Sequence, residues 1–262
     1  MVYTKEAALK IIVSCAEKYR QELDGRTFLF VTMDKHGRAG QIEFSFHGHN
    51  FLHLTGVRLV SSSGKIASAD DFFHRCLSHR LSERDFDFSE DGSTVLKLDV
   101  LPMVVRRDLS ANMIGDFDTG RPLLYTEKLA GSVCACMGFV YDVALNQYIP
   151  NTVLKEDIRN ISRNTKRVIA IFRKQIGAER YEELTYQAKK IDWDRVPLPE
   201  SLKTLIIKEK VSDKKTEVSP KMQALQDMQA MRKTSEQYNF SVEQREAAMM
   251  DRYGEIEYGK HK

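Results

Sequence analysis

The spacing of apolar residues changes from a helical to an alternating pattern near the start of the chain. Across residues 4–23 they recur every three or four positions, and Thr4 can cap a helix N-terminus. Residues 26–32 and 41–46 are rich in aromatic and β-branched side chains, with turn residues between them. A helix followed by a β-hairpin requires a mixed core. The sequence therefore predicts an α+β fold, with an N-terminal helix, an antiparallel β-sheet with helices packed on it, and a helical C-terminal extension.

The middle of the chain predicts further strands and helices. Ser68 precedes a helical segment, and Pro102 limits any helix or central strand in the apolar stretch 94–105. A three-stranded meander is expected over residues 112–117, 123–125 and 133–141. From residue 156 to residue 190 the apolar side chains follow helical spacing, which predicts a long helix interrupted at Gly177.

The pattern predicts three parts of the chain. Residues 1–165 form the α+β domain, residues 166–207 a helical continuation, and residues 208–262 a polar linker with short helices. In the last part, methionine and leucine side chains recur at helical spacing over residues 222–231. A stripe of this kind usually packs in a core, but it can also hold a protein partner, such as an inhibitor or a host factor.

The composition argues against several classes of protein but does not identify a function. The formal net charge of +3 is too small to indicate nucleic-acid binding by itself. Four cysteines without a paired framework fit a reducing compartment. We see no signal peptide and no apolar run long enough to cross a bilayer, so we expect a cytoplasmic protein without a membrane partner.

Three histidines lie close together in the segment from His47 to Gly56. If this segment were one strand, His47, His49 and His53 would share a face, and zinc could bind there. The set lacks a fourth ligand, so zinc is a weak alternative. The plainer alternative is that His47 and His49 are exposed loop residues and that the fold orders only His53.

His53 is the strongest catalytic candidate in the sequence. Its apolar neighbours can lower its pKa by desolvation and keep a neutral base available near pH 7. Such a base suits RNA cleavage, in which it takes the proton of the 2′-hydroxyl. Asn151, Thr152 and Lys155 could supply donors to the phosphate at a strand-to-helix junction, although Asn151 and Thr152 could also be a plain helix cap.

Two short motifs resemble those of a known family. The segment from Asn50 to Gly56, NFLHLTG, and the segment from Tyr148 to Thr152, YIPNT, occur in this order about a hundred residues apart. They are similar to motifs of the phage-encoded BECR nucleases, which are named for barnase, EndoU, colicin and RelE-type enzymes. The resemblance covers roughly residues 1–165, so that these residues would form a BECR-like nuclease domain.

The resemblance implies a function. The chain would be a metal-independent endoribonuclease without a cofactor, acting on RNA as a toxin or as a phage or mobile-element effector in the host cytosol. His53 would be the general acid or base, Thr55 would position it or bind phosphate, and Thr152 with Asn151 would contact the scissile phosphate. Arg38 and Lys155 are added as RNA-binding residues from charge and placement alone. The alternative is a non-catalytic phage or mobile-element protein that binds RNA or a protein partner.

Overall fold

The computed structural model describes residues 3–60, 68–118 and 125–212, with the backbone alone for 207–212. The helices within these ranges are α1 (Lys5–Glu22), α2 (Phe51–Thr55), α3 (Ala69–Leu77), α4 (Ser93–Val104), α5 (Ile158–Ile161) and α6 (Glu200–Ser212). The strands are β1 (Arg26–Met33), β2 (Ala39–Phe46), β3 (Val57–Leu59), β4 (Phe86–Phe88), β5 (Met113–Phe117), β6 (Lys128–Gly131), β7 (Cys136–Asp142), β8 (Gln147–Leu154), β9 (Ser162–Gln175) and β10 (Glu183–Gln187). None of the helices in these ranges is long and apolar enough to cross a membrane.

The predicted N-terminal helix and hairpin are confirmed. The Thr4 hydroxyl accepts a hydrogen bond from the backbone N–H of Ala7 at 3.1 Å and caps α1. Strands β1 and β2 pair antiparallel along their whole length, from Arg26 opposite Phe46 to Met33 opposite Ala39. The helix predicted after Ser68 is also present as α3, capped by the Ser68 hydroxyl. These elements depend on contacts between residues that are near in sequence, which is why the local pattern predicts them.

The predicted α+β arrangement, an antiparallel sheet with helices packed on it, is wrong, because the sheet closes on itself. Seven strands follow one another in the order β1-β2-β8-β7-β6-β5-β9, and β9 pairs back onto β1. The pairing of β2 with β8 is parallel, through Phe44 and Tyr148. Strand β10 adds to β9, and β3 and β4 form a separate two-stranded sheet. Closure of the sheet and the parallel pairing of β2 with β8 join residues that are far apart in sequence, so local sequence patterns do not predict them.

The helix predicted over residues 156–190 is wrong for most of its length. Only the four residues of α5 are α-helical there, and β9 and β10 occupy most of the remainder. All five residues from Val168 to Phe172 are buried, because this part of β9 is covered on both faces. A strand buried on both faces is continuously apolar, and such a run also contains apolar residues at helical spacing. The predicted domain boundary at residue 165 lies inside this strand.

The two faces of the closed sheet pack against different elements. On one face Phe46 contacts Tyr19 of α1, and Tyr19 contacts Phe51 of α2 with the ring centroids 5.3 Å apart. On the other face Leu29, Val31 and Phe172 pack with residues of the segment 184–206, which includes α6. The aromatic contacts hold α1 and α2 at the end of β2 where the histidine-containing segment begins.

The C-terminal extension predicted from residue 208 lies almost wholly outside the described residues. Helix α6 continues to Ser212, so the first five positions of the predicted linker are helical. The short helices predicted after the linker, with the methionine stripe at residues 222–231, also lie outside the described part of the chain. The helical character of the extension therefore has no support from the structure.

Candidate active site

The segment that contains the three histidines is a turn followed by a short helix. A 3₁₀ turn covers Gly48–Asn50, and α2 begins directly after it. The hypothesis of a single strand with three histidines on one face is therefore wrong. Asn50 is buried, and its side-chain oxygen accepts a hydrogen bond from the backbone N–H of His47 at 3.0 Å. A Cβ atom on Gly48 would lie 2.6 Å from the ring of Phe73, so the turn can pack against α3 only with glycine there.

The Thr-Gly pair of the first motif ends helix α2. The Thr55 side chain is fully buried, donates to the carbonyl oxygen of Leu52 at 2.7 Å and accepts from the N–H of Val57 at 3.3 Å. Gly56 follows in the left-handed region with φ of 71°. A Cβ atom there would lie 2.7 Å from Cδ of Lys97, so the glycine also makes room for that side chain. These contacts give Thr55 and Gly56 a part in positioning α2 against α4.

His53 lies on α2 and is exposed to solvent. The side chain of Lys97, on α4, reaches across to α2, and its ammonium group donates to the backbone carbonyl oxygen of His53 at 2.9 Å. Burial lowers the pKa of His53, and the positive charges of Lys97 and His49 lower it further. The pKa of Lys97 is also lowered by burial. The lowered pKa favours the neutral, basic form of the His53 imidazole, and the ammonium group of Lys97 lies against the backbone of the same residue.

His47 and His49 differ in their surroundings. Their rings stack with centroids 5.3 Å apart. Nε2 of His47 is buried without a hydrogen-bond partner, and burial and the neighbouring His49 lower the pKa of His47. His49 is more exposed, and its Nδ1 lies 4.0 Å from a carboxylate oxygen of Asp70. Of the two, His49 is the one with a side chain that a substrate can reach.

The second motif lies on β8, against which α2 packs. The parallel register of Phe44 with Tyr148 brings Asn151 to the level at which β2 ends and His47 begins. Gly138 pairs with Thr152 and Phe139 with Pro150, so Asn151 is the extra residue of a β-bulge. Pro150 fits at such a position because it has no N–H to donate to the ladder.

The side chains of the second motif are already engaged. The Asn151 side-chain oxygen accepts from the Thr126 hydroxyl at 3.2 Å, and its amide nitrogen donates to the carbonyl oxygen of Tyr125. Thr152 is 4% exposed, and its methyl group lies against the position that a Cβ atom on Gly138 would occupy. In this arrangement Asn151 shapes the strand near α2, and Thr152 is a packing residue whose hydroxyl is shielded from substrate.

The two cations predicted from charge alone occupy different places. Lys155, directly after β8, forms an ion pair at 2.7 Å with Asp99 of α4, which also accepts from the Tyr3 hydroxyl at 2.6 Å. It therefore lies on the side of the fold that carries α4. Arg38 lies in the β1–β2 turn and pairs with Asp34 at 2.8 Å. That turn is at the opposite end of the eight-residue strand β2 from His47, about 26 Å along the strand. The structure does not bring Arg38 to His53.

The weak zinc alternative has no support from side-chain positions. Across the described ranges, no group of three or more His, Cys, Asp or Glu side chains is placed to hold a metal ion. The rings of His47 and His49 stack in the turn, whereas His53 lies on the helix that follows, so the three imidazoles do not form a ligand set.

The sequence did not single out Lys97. It is the one lysine in the apolar stretch 94–105, and Asp99 is the one acidic residue there. A lysine within an apolar segment indicates that its ammonium group has a polar partner, because burying an unpaired charge is costly. Its partner, the carbonyl of His53, could not be read from the sequence.

The model of the family described as phage-Barnase-EndoU-ColicinE5/D-RelE like nuclease 4 matches residues 11–190. No curated protein and no solved structure matches the chain. The matched range contains both motifs, all of β9 and β10, and Lys97.

Proposed function

The chain belongs to the phage-Barnase-EndoU-ColicinE5/D-RelE like nuclease 4 family, and from this premise we propose that it is a metal-independent endoribonuclease centred on His53. Membership of a nuclease family implies a nucleic-acid substrate. The choice of RNA, and of a mechanism without metal, is our proposal. The observation that carries it is the exposed imidazole of His53, whose pKa is lowered and whose backbone carbonyl oxygen accepts a hydrogen bond from the ammonium group of Lys97.

A neutral imidazole beside a fixed cation suits RNA cleavage through the 2′-hydroxyl. His53 would take the proton of that hydroxyl while its oxygen attacks the adjacent phosphorus and the bond to the 5′-oxygen breaks. Negative charge grows on the non-bridging phosphate oxygens during attack, and Lys97 would stabilise it. DNA lacks the 2′-hydroxyl, so this chemistry selects RNA.

The leaving 5′-oxygen needs a proton, and His49 is our candidate to give it. The His49 side chain is 42% exposed, its Nδ1 lies 4.0 Å from a carboxylate oxygen of Asp70, and it is one of the groups that lower the pKa of His53. We assign His49 as the general acid. Thr55 and Asn151 would hold α2 and β8 in place, and Lys155 would contact the substrate backbone beyond the scissile bond. Thr152 would support the strand that carries Asn151.

The proposal extends to the biological setting that the family name indicates. A chain that cleaves RNA in a host cytosol would act as a toxin or as a phage or mobile-element effector. Induced expression of the active chain should then arrest bacterial growth, and expression of His53→Ala should not.

The decisive experiment incubates the purified chain with total RNA, tRNA and single-stranded DNA, with and without EDTA. We expect fragments from RNA alone, unchanged by EDTA, and a loss of about 10²- to 10⁴-fold in rate for His53→Ala. His36→Ala, in the exposed β1–β2 turn, is the matched control and should cleave as the parent does. Cleavage that EDTA abolishes would refute metal independence. Intact RNA with cleaved DNA would refute the choice of RNA, and intact RNA and DNA in every lane would favour a binding protein.

A further inference from the structure

The inner face of the closed sheet can be identified from contacts between strands that are not neighbours. Phe44 of β2 and Phe139 of β7 are separated by β8, yet their rings stack with centroids 3.9 Å apart. Side chains of strands that are not neighbours meet in the interior of a barrel. Tyr148 of β8 contacts Phe44 at 6.0 Å and its strand partner Tyr141 at 5.2 Å between ring centroids. These aromatic residues therefore lie on the inner face of the barrel that the closed sheet forms.

Two charged residues continue this inner face. Lys128 of β6 pairs with Phe139, and Asp116 of β5 pairs with Lys128, so both side chains point to the same side of the sheet as Phe139. One carboxylate oxygen of Asp116 is bonded to the ammonium group of Lys128, and the other accepts from the Asn164 amide at 2.9 Å. Burial acts to lower the pKa of Lys128, but Asp116 and Tyr148 are among the groups that raise it, so this tyrosine lies close to the lysine. The Lys128 side chain is still 28% exposed, so a ligand can reach it.

A second lysine reaches the same cluster from β9. Nζ of Lys166 lies 3.9 Å from the position that a Cβ atom on Gly40 would occupy. Gly40 and Phe44 are both on the regular strand β2 and an even number of residues apart, so the side chain of Lys166 also lies on the inner face. Burial acts to raise the pKa of Asp116, whereas its contact with Lys128 and the charge of Lys166 lower it. Lys166 is exposed and forms no ion pair with any residue in the ranges that the structure describes.

These side chains lie at one end of the barrel, and we call the site the barrel mouth. It is defined by Asp116, Lys128, Tyr141, Tyr148 and Lys166. In antiparallel neighbours the end of one strand lies beside the start of the next, so the ends of β5 and β7 lie with the starts of β6 and β8. Strand β2, which is parallel to β8, also begins at this end, and His47 follows its other end. The barrel mouth thus places two ammonium groups and one carboxylate beside two tyrosine rings.

We propose that the barrel mouth binds one nucleotide, with its phosphate on Lys128 and Lys166 and its base against Tyr141 and Tyr148. The two ammonium groups outnumber the carboxylate, which leaves a positive charge for a phosphate. The Tyr141 side chain is 37% exposed, and a tyrosine ring can stack on any base. Barrel mouths are also common places for small ligands. The choice of a nucleotide over another aromatic anion rests on the proposed function.

Binding of a free nucleotide is measured by isothermal titration calorimetry of the full chain with AMP, with inorganic phosphate and with adenosine. We expect AMP to bind more tightly than either of its parts. Lys166→Gln should weaken AMP binding about tenfold, because a charge-assisted hydrogen bond is lost. Tyr141→Leu should weaken it about as much, because the base loses a stacking partner. Lys18→Gln, at an exposed position of α1, is the matched control and should bind AMP as the parent does.

A second measurement distinguishes a free nucleotide from one within a strand. The His53→Ala chain is titrated with a labelled single-stranded RNA, with and without AMP, and the titration is repeated with Lys166→Gln added. Weaker RNA binding in the Lys166 variant, with competition by AMP, would assign the barrel mouth to the RNA strand. AMP binding that Lys166→Gln weakens, without competition against RNA, would assign it to a free nucleotide.

Two results would overturn the barrel mouth as a nucleotide site. The first is AMP binding that is no tighter than that of inorganic phosphate, or that is equal in the parent and in Lys166→Gln. The second is no AMP binding at millimolar concentration together with unchanged RNA affinity in the Lys166 variant. Neither measurement depends on cleavage. A chain that binds AMP at the mouth but never cleaves RNA would refute only the proposed function, and the reverse result would refute only the mouth.

Discussion

The ammonium group of Lys97 donates a hydrogen bond to the carbonyl oxygen of His53 across 2.9 Å. The bond joins α4 to α2, and the Thr94 hydroxyl of α4 also donates to the carbonyl oxygen of Gly56, which caps α2. It also fixes a positive charge close to an imidazole whose pKa is already lowered by burial. The same ammonium group thus holds the backbone of His53 and lowers its pKa, so a variant at Lys97 tests both effects.

Removing the charge of Lys97 should shift the pH dependence of cleavage. Lys97→Met keeps an unbranched side chain over Gly56 and removes the ammonium group. Because that charge lowers the pKa of His53, its loss should raise this pKa and move the acid limb of kcat/KM to higher pH. We also expect the plateau to fall about 10²-fold, since the phosphate loses a stabilising charge.

Two measurements check the Lys97 prediction. The pH–rate profile reports the acid limb, and an NMR titration of His53 reports its pKa even in a variant that does not cleave. Lys18→Met on the exposed face of α1 is the control. An acid limb and an NMR titration that are both unmoved in Lys97→Met would show that Lys97 only packs against α2.

Gly56→Ala should destabilise the fold more than Gly92→Ala. Both glycines have nearly the same backbone conformation, with φ of 71° and 73°. A Cβ atom on Gly56 would meet Lys97 and Thr94, whereas one on Gly92 would meet nothing within 4 Å. Gly92→Ala should therefore cost about 1 kcal/mol from the left-handed conformation alone, and Gly56→Ala about 2–4 kcal/mol with the added crowding.

Urea unfolding of both glycine variants measures the difference. Since the backbone cost is shared, the gap between them isolates the packing of Lys97 and Thr94 on α2. Equal free energies of unfolding would mean that α4 can move away from Gly56 at little cost.

Thr55→Val should lower stability, whereas Thr55→Ser should nearly preserve it. Valine keeps the shape of the side chain but leaves the N–H of Val57 without its hydroxyl acceptor in a buried site. The free energy of unfolding should drop by about 1–3 kcal/mol, and serine should restore most of it. Denaturation curves measure this. A Thr55→Val chain that keeps full stability but loses RNA affinity would instead assign the hydroxyl to phosphate binding.

The fold should lose stability as the pH falls below about 6.5, the ordinary pKa of histidine. The pKa values of His47 and His53 are both lowered in the folded chain, chiefly by burial. The unfolded chain then binds more protons than the folded chain, so protonation favours unfolding as the pH falls. Urea midpoints measured across this range should decrease toward low pH. The urea midpoint of the double variant His47→Gln, His53→Gln should depend less on pH, whereas that of His36→Ala should depend on pH as the parent's does. If the double variant keeps the parent's pH dependence, other groups are responsible for it.

Much of the local structure could be predicted from the sequence, and the family could be recognised from it. The resemblance to the BECR nucleases is confirmed by the family match over residues 11–190. The motif that includes His53 could be identified in the sequence. Its geometry could not be predicted, because a histidine-rich segment is compatible with a strand and also with a turn followed by a helix. Lys97 was missed because it is 44 residues from His53 in the chain.

The sequence by itself determined the elements that close within a few residues: the Thr4-capped helix, the β1–β2 hairpin and the helix that Ser68 caps. Each rests on a cap or an alternation that adjacent residues impose. Only the tertiary structure decided that β9 is a strand, that β9 pairs with β1, and that Lys97 reaches His53. A run of apolar residues such as Val168–Phe172 is compatible with a helix and with a buried strand. It forms a strand here because strands from distant parts of the sequence supply hydrogen-bond partners on both of its edges.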